Sequence, residues 1–381
     1  MTELYICDTP FQTFNVLNIA YNREKNTADG SAIYKDLYII NQFDSAREIS
    51  KRLAGTGLFR NIYLLRKDDT KFLPVSMKRH LKMSLDFLNP RAFLRKRFEG
   101  YDFSQIDFKH YDVVYGSGAY STVAAIMKLN PDADFILYED GLGPYSDESI
   151  DALIKRTSGG KLNRLFCDTF HVGSYVCKPE KMLVNNVSAC KCAAYEGNRV
   201  QPLPAFTEEF LGFSNGVFDV VTDHTGNDKN SYDFCWLSQP FDCNPGAAEV
   251  RDLIRDVLME FRDEVCVRMH PRDRDADYYS AFRVDRGKDL WELSVLNRDA
   301  DRLVLMGAFS NAQVTPKLLF DLEPILIFMH LLNDKLPEAN KAVIEEEING
   351  MRRIYSDPDR IYKPSTPEEL REILNSLKKD I

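Results

Sequence analysis

Several features of common functional classes are missing from this sequence of 381 residues. No window approaches the roughly 20 apolar residues that a membrane-spanning helix needs. The first stretch, "MTELYICDTPFQ", enters a strand pattern directly and lacks the basic and apolar regions of a signal peptide. Internal repeats and low-complexity segments are also absent from the sequence. These absences predict a cytoplasmic protein whose contact with a membrane, if it has one, is peripheral.

Basic residues are too few for a general nucleic-acid-binding protein, because 49 lysines and arginines face 58 acidic residues and the net charge is −9. The eight cysteines show neither the paired spacing of a zinc site nor a C-x-x-C redox pair, and Cys190 and Cys192 come nearest to one. Cys7 and Cys266 lie in apolar runs, where a reduced thiol behaves as a small apolar side chain. A reducing compartment and no metal centre are therefore expected.

Known phosphate-binding signatures are missing too. The turn Gly116-Ser117-Gly118 lacks the Gly-Lys-Ser/Thr ending of a P-loop and the glycine spacing of a dinucleotide fingerprint, which argues against nicotinamide chemistry. The stretch "DRDAD" (273–277) comes after a His-Pro pair, in what is expected to be a solvated loop, and does not form a convincing metal-binding Asp-x-Asp pair at a strand end. The glycine turn either joins a strand to a helix or lets the backbone approach a sugar or phosphate closely.

What the sequence does contain is an alternation of strand and helix patterns. In the first half, strands are predicted at 3–8, 36–43, 61–66, 111–118 and 133–141, with helices at 10–22, 45–57 and 119–130. In the second half, the alternating segments are 232–240, 246–262 (helix), 264–273, 290–297, 301–313, 314–321 (helix) and 323–329, followed by a C-terminal helix capped by Thr366 and Glu369. This order predicts parallel sheets covered by helices, with ligands beyond the carboxyl ends of the strands.

The length of the chain exceeds that of one ordinary core. A segment rich in Pro, Gly, Asn and Asp separates the two alternating sets, as a connection between domains would. We therefore predict an α/β protein with two Rossmann-like, doubly wound domains that face a central cleft. The N-terminal domain is expected over 1–200, the connection over 201–232, and the C-terminal domain over 233–381.

A basic stretch at 78–97 interrupts the first alternating set and has a helical pattern. It is either a solvated helix face or a surface that contacts an anionic membrane or an acceptor.

The stretch "ILYEDGLG" (136–143) ends a buried-looking strand on two adjacent carboxylates, Glu139 and Asp140, followed by Gly141. Like charges side by side are unfavourable unless a ligand or cation uses them. Thr9, after the first strand, and the Gly116–Gly118 turn are expected at the same edge of the sheet. The sequence therefore predicts one crevice lined by these strand ends.

Two stretches of the second half end strands in a similar way. In "VCVRMHPRD", Pro271 ends the strand, so that Arg268 and His270 lie at its carboxyl end. His270 can donate a hydrogen bond or a proton to a departing phosphate, or it can be a structural histidine.

In "LVLMGAFSNAQ", Gly307 ends an apolar strand, and Ser310 and Asn311 precede a helix. A phosphate can bind at such a helix N-terminus, although a serine N-cap is also an ordinary structural feature. Together with the carboxylates, these groups suit a nucleotide-sugar transferase, in which a carboxylate takes a proton from an acceptor hydroxyl and the histidine and helix start receive the phosphate.

The sequence also resembles glycosyltransferase family 52, the lipooligosaccharide and capsule sialyltransferases of bacteria. The resemblance is carried by "YICDTPFQ" and "YEDGLGPY", by Glu139-Asp140-Gly141 as a D/E-D/E-G motif, by His270-Pro271 as an HP motif, and by Ser310 at a serine motif. Asn311 stands where a second Ser or Thr is expected. The motifs occur in the family's order along most of the chain.

This resemblance implies a GT-B fold and inverting transfer of sialic acid from CMP-sialic acid to a galactoside-type acceptor of a bacterial surface glycan, without a cofactor or metal. Asp140 is the first choice for the general base, with Glu139 orienting it, and Asp242 in "QPFDCNPG" is the alternative base. Arg268 pairs with the phosphate or the donor carboxylate, or forms a structural ion pair. A homodimer is a further expectation.

Two other functions remain open at this point. A related transferase would use another nucleotide sugar, such as a UDP-hexose. A carbohydrate-binding or assembly protein without catalysis would bind nucleotides weakly or not at all.

Overall fold

The computed structural model divides the chain into two compact units, Met1–Phe218 and Asp219–Ile381. It describes residues 1–25, 32–40, 43, 45–65, 89–98, 101, 106–118, 121–141, 143–145, 150, 179–191, 197–220, 233–239, 246–270, 273, 275–286 and 290–379. Each unit contains one parallel sheet with helices packed around it, which confirms the predicted α/β class.

The first unit contains a seven-stranded sheet. Its strands are β1 (Thr2–Cys7), β2 (Tyr34–Ile40), β3 (Asn61–Leu65), β4 (Val113–Gly116), β5 (Asp134–Tyr138), β6 (Pro179–Val184) and β7 (Val200–Pro202), and its helices are α1 (Pro10–Lys25), α2 (Ala46–Ala54), α3 (Pro90–Arg97), α4 (Ser121–Leu129) and α5 (Glu208–Phe218). The strand order is β3-β2-β1-β4-β5-β6-β7, and all pairs are parallel. The central strands are buried on both faces, as their continuous apolar runs predict.

The direction in which strands are added reverses between β1 and β4. The chain runs outward from β1 to β2 and β3, then returns to β4 on the other side of β1. In open parallel sheets, ligands bind beyond the carboxyl ends of the strands at such a reversal. Asp8 after β1, Gly116 at the end of β4 and Glu139 after β5 lie on this edge.

The second unit contains a six-stranded parallel sheet in the order β10-β9-β8-β11-β12-β13. Its strands are β8 (Asp233–Leu237), β9 (Val265–Arg268), β10 (Arg283–Asp285), β11 (Leu303–Gly307), β12 (Ile325–Phe328) and β13 (Ile361–Tyr362), and its helices are α6 (Ala247–Leu258), α7 (Trp291–Val295), α8 (Asn311–Phe320), α9 (Glu338–Ile354) and α10 (Pro367–Lys379). The reversal falls between β8 and β11, so the polar residues after β8, β9 and β11 share one edge.

Some elements differ from the sequence-based expectation. Residues 290–297 were included among the alternating segments without being marked as a helix, and they contain the short helix α7. The strands β6, β7, β10 and β13 and the helix α9 were not predicted. Of these, β7, β10 and β13 contain only two or three residues, which is too few to show periodicity. The first unit includes β7 and α5, which fall within the segment 201–232 or at its border.

The ends of two helices bear on other expectations. Thr366 Oγ1 accepts a hydrogen bond of 3.1 Å from the Glu369 backbone N–H, which confirms the predicted cap of α10. In α3, at the end of the basic stretch, Phe93 and Leu94 are buried while Arg91 and Arg95 are exposed. Residues 78–88 lie outside the described part. No helix among the described residues is long and apolar enough to cross a membrane.

Candidate functional site

Asp140 is exposed at the carboxyl end of β5, and its carboxylate is held by a side chain from α1. The Gln12 amide nitrogen, Nε2, donates a hydrogen bond of 2.5 Å to Asp140 Oδ1. Gln12 itself is buried in the first turn of α1, where its backbone N–H donates to Thr9 Oγ1 at 3.1 Å. Thr9, Gln12 and Asp140 therefore belong to one cluster, although 128 residues separate the last two.

Glu139 faces a different environment from its neighbour. Its side chain is buried, and its Oε2 accepts hydrogen bonds of 2.7 Å from the Tyr145 hydroxyl and 2.7 Å from the Asn185 backbone N–H. Burial raises the pKa of Glu139 from 4.5 to about 7, and the charge of Asp140 adds to this rise, while the two hydrogen bonds oppose it. The carboxyl group of Glu139 therefore joins β5 to the segment after β6, whereas the side chain of Asp140 is contacted by Gln12.

Gly116, the first residue of the glycine turn, packs closely against neighbouring side chains at the end of β4. A Cβ at Gly116 would come within 3.2 Å of both Phe135 and Val123, so the close approach of β4 to β5 and α4 favours a glycine. Ser117 is half-buried and Gly118 is buried at the same edge. Gly141, after Asp140, has a φ of 127°, which favours glycine. The structure thus accounts for Gly116 without a ligand.

His270 is half-buried after β9, on a segment held by β8 and the following loop. Its backbone N–H donates to Ser238 Oγ at 2.9 Å, and Ser238 Oγ donates to Asp273 Oδ2 at 2.8 Å. The Tyr279 hydroxyl donates to the same Asp273 oxygen at 2.9 Å. Asp273, in the stretch "DRDAD", therefore braces the His270 segment. Pro271 lies outside the described residues.

Arg268 takes part in a structural ion pair, which is one of the alternatives raised by the sequence. The residue is buried, and its Nη1 lies 2.7 Å from Asp285 Oδ2 on the neighbouring strand β10. Its guanidinium also lies 5.5 Å from the centre of the Trp291 ring. Glu292 in α7 is buried too, and burial raises its pKa to about 7, although its own backbone N–H and the charge of Arg268 oppose the rise.

Ser310 is the N-cap of α8 and forms a capping box with Gln313. Ser310 Oγ accepts from the Ala312 backbone N–H at 3.3 Å, and the Ser310 backbone N–H donates to Gln313 Oε1 at 3.1 Å. A Cβ at Gly307 would lie 2.9 Å from this Gln313 oxygen, so a larger residue there would displace the Gln313 side chain from the capping box. Asn311 is exposed at the first position of α8. The helix start thus has the cap that the sequence analysis gave as the structural alternative.

The structure brings the candidate residues together in two groups, one on each sheet. The first contains Thr9, Gly116, Ser117, Gly118, Glu139, Asp140 and Gly141, and the second contains Arg268, His270, Gly307, Ser310 and Asn311. Asp242 lies outside the described residues. The sequence analysis missed Gln12, Ser238 and Asp273, although Gln12 belongs to the quoted stretch "YICDTPFQ". Among the described residues, no group of three or more His, Cys, Asp or Glu side chains could hold a metal ion.

A comparison with models of protein families finds no match, and a comparison with curated proteins finds none either.

Solved structures do share the fold. A 2,6-sialyltransferase from Vibrionaceae Photobacterium sp. JT-ISH-224, in complex with CMP and lactose, has a TM-score of 0.53 and 10% identity over 95% of this chain and 78% of its own. The GT-B domain of a Photobacterium damselae sialyltransferase has a TM-score of 0.50 and 9% identity over 95% of this chain and 100% of its own. A putative UDP-N-acetylglucosamine 2-epimerase from Listeria monocytogenes has a TM-score of 0.50 and 9% identity over 99% of this chain and 87% of its own. These neighbours confirm a GT-B-type α/β fold, which sialyltransferases and epimerases share.

Proposed function

We propose that this protein is an inverting glycosyltransferase that moves a sugar from a nucleotide donor to a hydroxyl group of a glycan. The observation that carries the proposal is the exposed carboxylate of Asp140 at the carboxyl end of β5, beside the reversal of strand order and held by Gln12. An exposed, oriented carboxylate at a ligand-binding edge suits a general base.

In the proposed reaction, Asp140 removes the proton of the acceptor hydroxyl as its oxygen attacks the anomeric carbon. The bond between that carbon and the donor phosphate breaks, and the nucleotide leaves with the bonding electrons. Attack from the side opposite the phosphate inverts the configuration. Glu139 contributes by fixing the end of β5 through Tyr145 and Asn185. Asp242 remains the alternative base.

The second unit is proposed to receive the departing phosphate. His270 offers an imidazole N–H or a proton, and the start of α8 at Ser310 and Asn311 offers a hydroxyl group and the positive end of a ten-residue helix. A phosphate monoester such as CMP carries less charge than a diphosphate, so these groups can offset it without a metal ion. Pro271 and Gly307 are further proposed donor-binding residues. Arg268 is paired with Asp285 and is proposed to stabilise the end of β9, two residues before His270.

CMP-sialic acid is the proposed donor, and a galactoside-type unit of a bacterial lipooligosaccharide or capsule is the proposed acceptor. The resemblance to glycosyltransferase family 52 supports this donor, as does the shared fold with sialyltransferases, one of them bound to CMP and lactose. A cytoplasmic location, peripheral membrane contact through 78–97 and a homodimer belong to the same proposal.

Nucleotide release tests the donor. The protein is incubated with lactose and, in separate reactions, with CMP-sialic acid, UDP-glucose or UDP-N-acetylglucosamine, and free nucleotide and sugar products are separated by chromatography. Release of CMP with sialylation of lactose supports the proposal. UDP release with a hexose on lactose indicates the related transferase. Formation of an epimerised N-acetylhexosamine from UDP-N-acetylglucosamine, either free or still attached to UDP, without any acceptor product indicates epimerase chemistry.

Absence of turnover with all donors and with a panel of galactoside acceptors would contradict catalysis and favour a carbohydrate-binding or assembly protein. The variant Asp140→Asn is the matched control, because it should eliminate acceptor-dependent release while leaving the donor side of the site unchanged.

A further inference from the structure

Gln12 makes two hydrogen bonds through opposite ends of one buried amide. Gln12 Oε1 accepts from the Asp8 backbone N–H at 2.8 Å, and Gln12 Nε2 donates to Asp140 Oδ1 at 2.5 Å. Only 1% of the Gln12 surface is exposed. The side chain therefore bridges the end of β1 and the end of β5, across the position of β4.

The orientation of this amide follows from its partners. A backbone N–H can only donate a hydrogen bond, so the amide oxygen must face Asp8 and the amide NH₂ group must face Asp140. A flipped amide would place its NH₂ group against the Asp8 N–H and its oxygen against a carboxylate. Both contacts would leave buried groups unsatisfied, which is costly. The bridge thus presents a fixed donor to Asp140.

The helix that carries Gln12 is also firmly attached. The Thr13 hydroxyl donates to the Thr9 carbonyl at 2.8 Å, and the Gln12 N–H donates to Thr9 Oγ1. Further along the same helix, Asn15 Nδ2 donates to the Glu139 carbonyl at 3.1 Å, and Asn18 Nδ2 donates to the Pro204 carbonyl at 2.6 Å. Because these amides are spaced by three residues, α1 holds the segments beside it along one face.

Shorter side chains cannot form the bridge. Asparagine at position 12 is one methylene group shorter, and the backbone N–H of Asp8 and the carboxylate of Asp140 are both needed to orient the amide. Asp140 is exposed and is the second residue beyond the end of β5, and an aspartate side chain can adopt several rotamers. A fixed donor at one oxygen restricts this choice.

We propose that Gln12 is the positioning residue of Asp140, holding its carboxylate in one rotamer and as a hydrogen-bond acceptor, ready to receive the proton of the acceptor hydroxyl. This inference rests on the proposed function, because it assigns the residue that prepares the proposed base. Gln12 does not contact the reacting atoms itself.

The test compares Gln12→Leu and Gln12→Glu with the control Asn18→Leu, which removes a buried amide of the same helix without touching Asp140. Gln12→Leu should lower kcat by about 10- to 100-fold, since misplacement of a catalytic group by about 1 Å can cost that much, and should leave the KM for the donor unchanged. Asn18→Leu should retain the wild-type kcat.

The pH profile separates positioning from a general loss of structure. In Gln12→Glu, the introduced carboxyl can share a proton with Asp140 at low pH and so replace the amide donor. At higher pH both groups are ionised and repel each other. The kcat of Gln12→Glu relative to wild type should therefore fall as pH rises, whereas the relative kcat of Gln12→Leu should be low at every pH. Gln12→Glu has nearly the size of the native side chain, so it keeps the inference testable if Gln12→Leu does not fold.

The outcomes distinguish this inference from the proposed function. Wild-type kcat and pH profile in both Gln12 variants, with Asp140→Asn inactive, would overturn the role of Gln12 and leave the function standing. If the wild-type protein transfers no sugar, the carboxyl ¹³C resonance of Asp140 can still be titrated in wild type and Gln12→Leu. A change in its titration between the two proteins would support the bridge, and identical titrations would overturn it.

Discussion

The Tyr145 hydroxyl donates a hydrogen bond of 2.7 Å to the Glu139 carboxylate, and both side chains are buried. The same Glu139 oxygen accepts from the Asn185 N–H, so one buried carboxyl group ties together the end of β5, the turn Gly143–Tyr145 and the segment after β6. Burial raises its pKa to about 7. The group is thus partly protonated near neutral pH while its neighbour Asp140 is exposed.

This relationship predicts a pH-dependent stability. Because folding raises the pKa of Glu139 from 4.5 to about 7, the folded state binds the proton more tightly than the unfolded chain. The free energy of unfolding should fall as pH rises from about 4.5 to 7, by an amount on the order of 3 kcal/mol at most. Glu139→Gln should remove this dependence, since the amide oxygen can accept both hydrogen bonds and the group stays neutral.

Urea unfolding of wild type and Glu139→Gln at pH 5 and pH 8 measures the effect. The variant should be the more stable protein at pH 8 and similar to wild type at pH 5. If the difference in unfolding free energy between the two proteins is the same at pH 5 and pH 8, the pH dependence does not come from Glu139.

Asp140→Asn should lower transfer to the acceptor by about 10² or more, because asparagine cannot take a proton. Donor binding, measured by calorimetry, should persist, and thermal stability should be equal or slightly higher because repulsion with Glu139 is removed. Glu139→Gln should cost less activity. If Asp140→Asn retains wild-type turnover while Asp242→Asn folds but is inactive, the base lies in the second unit.

His270→Ala should lower kcat by about 10² to 10⁴ if the imidazole stabilises the departing phosphate. The melting temperature should change little, because the segment is held by the His270 backbone N–H and by Ser238 and Asp273. Asp273→Asn serves as a comparison, since it weakens that support and keeps the imidazole. Unchanged single-turnover rates in His270→Ala would remove His270 from the mechanism.

Chelation tests the expected independence from metals. Treatment with EDTA should leave most of the transferase activity intact, because the proposed phosphate site consists of His270, Ser310 and the start of α8. Loss of activity with EDTA and its recovery with Mg²⁺ or Mn²⁺ would instead indicate a metal-dependent transferase.

His330 gives a second prediction about pH. Burial lowers the pKa of His330 below 6.5, and the charges of Lys363 and Lys341 lower it further. The hydrogen bond of 2.9 Å to Glu345 opposes this shift. The folded state therefore binds this proton less tightly than the unfolded chain, and stability should fall as pH drops below about 6.5. His330→Gln should remove this contribution, so that the slope of the unfolding free energy against pH between 5 and 6.5 becomes more negative than in wild type, where the opposite dependence of Glu139 remains. An unchanged slope there would contradict the assignment.

Much of the architecture follows from local patterns in the sequence. Continuous apolar runs identified β1, β2, β4, β5, β9 and β11, because strands buried on both faces have no polar side. The strand ends also identified Asp140, His270 and Ser310, since parallel strands bring their carboxyl ends to one edge. The short strands β7, β10 and β13 were missed because two or three residues show no periodicity and are defined by their partners.

The environments of adjacent residues were decided by tertiary structure alone. Glu139 and Asp140 look equivalent in the sequence, yet one is buried against Tyr145 and the other is exposed and bound by Gln12, 128 residues away. The Gly116 turn suggests close approach of a ligand, but the structure shows that a Cβ at Gly116 would crowd Phe135 and Val123, and one at Gly307 would crowd Gln313. Local sequence determines where a strand ends and which chemical groups follow it. The order of strands in the sheet determines which of those groups meet, because each pairing joins segments that are far apart in the chain.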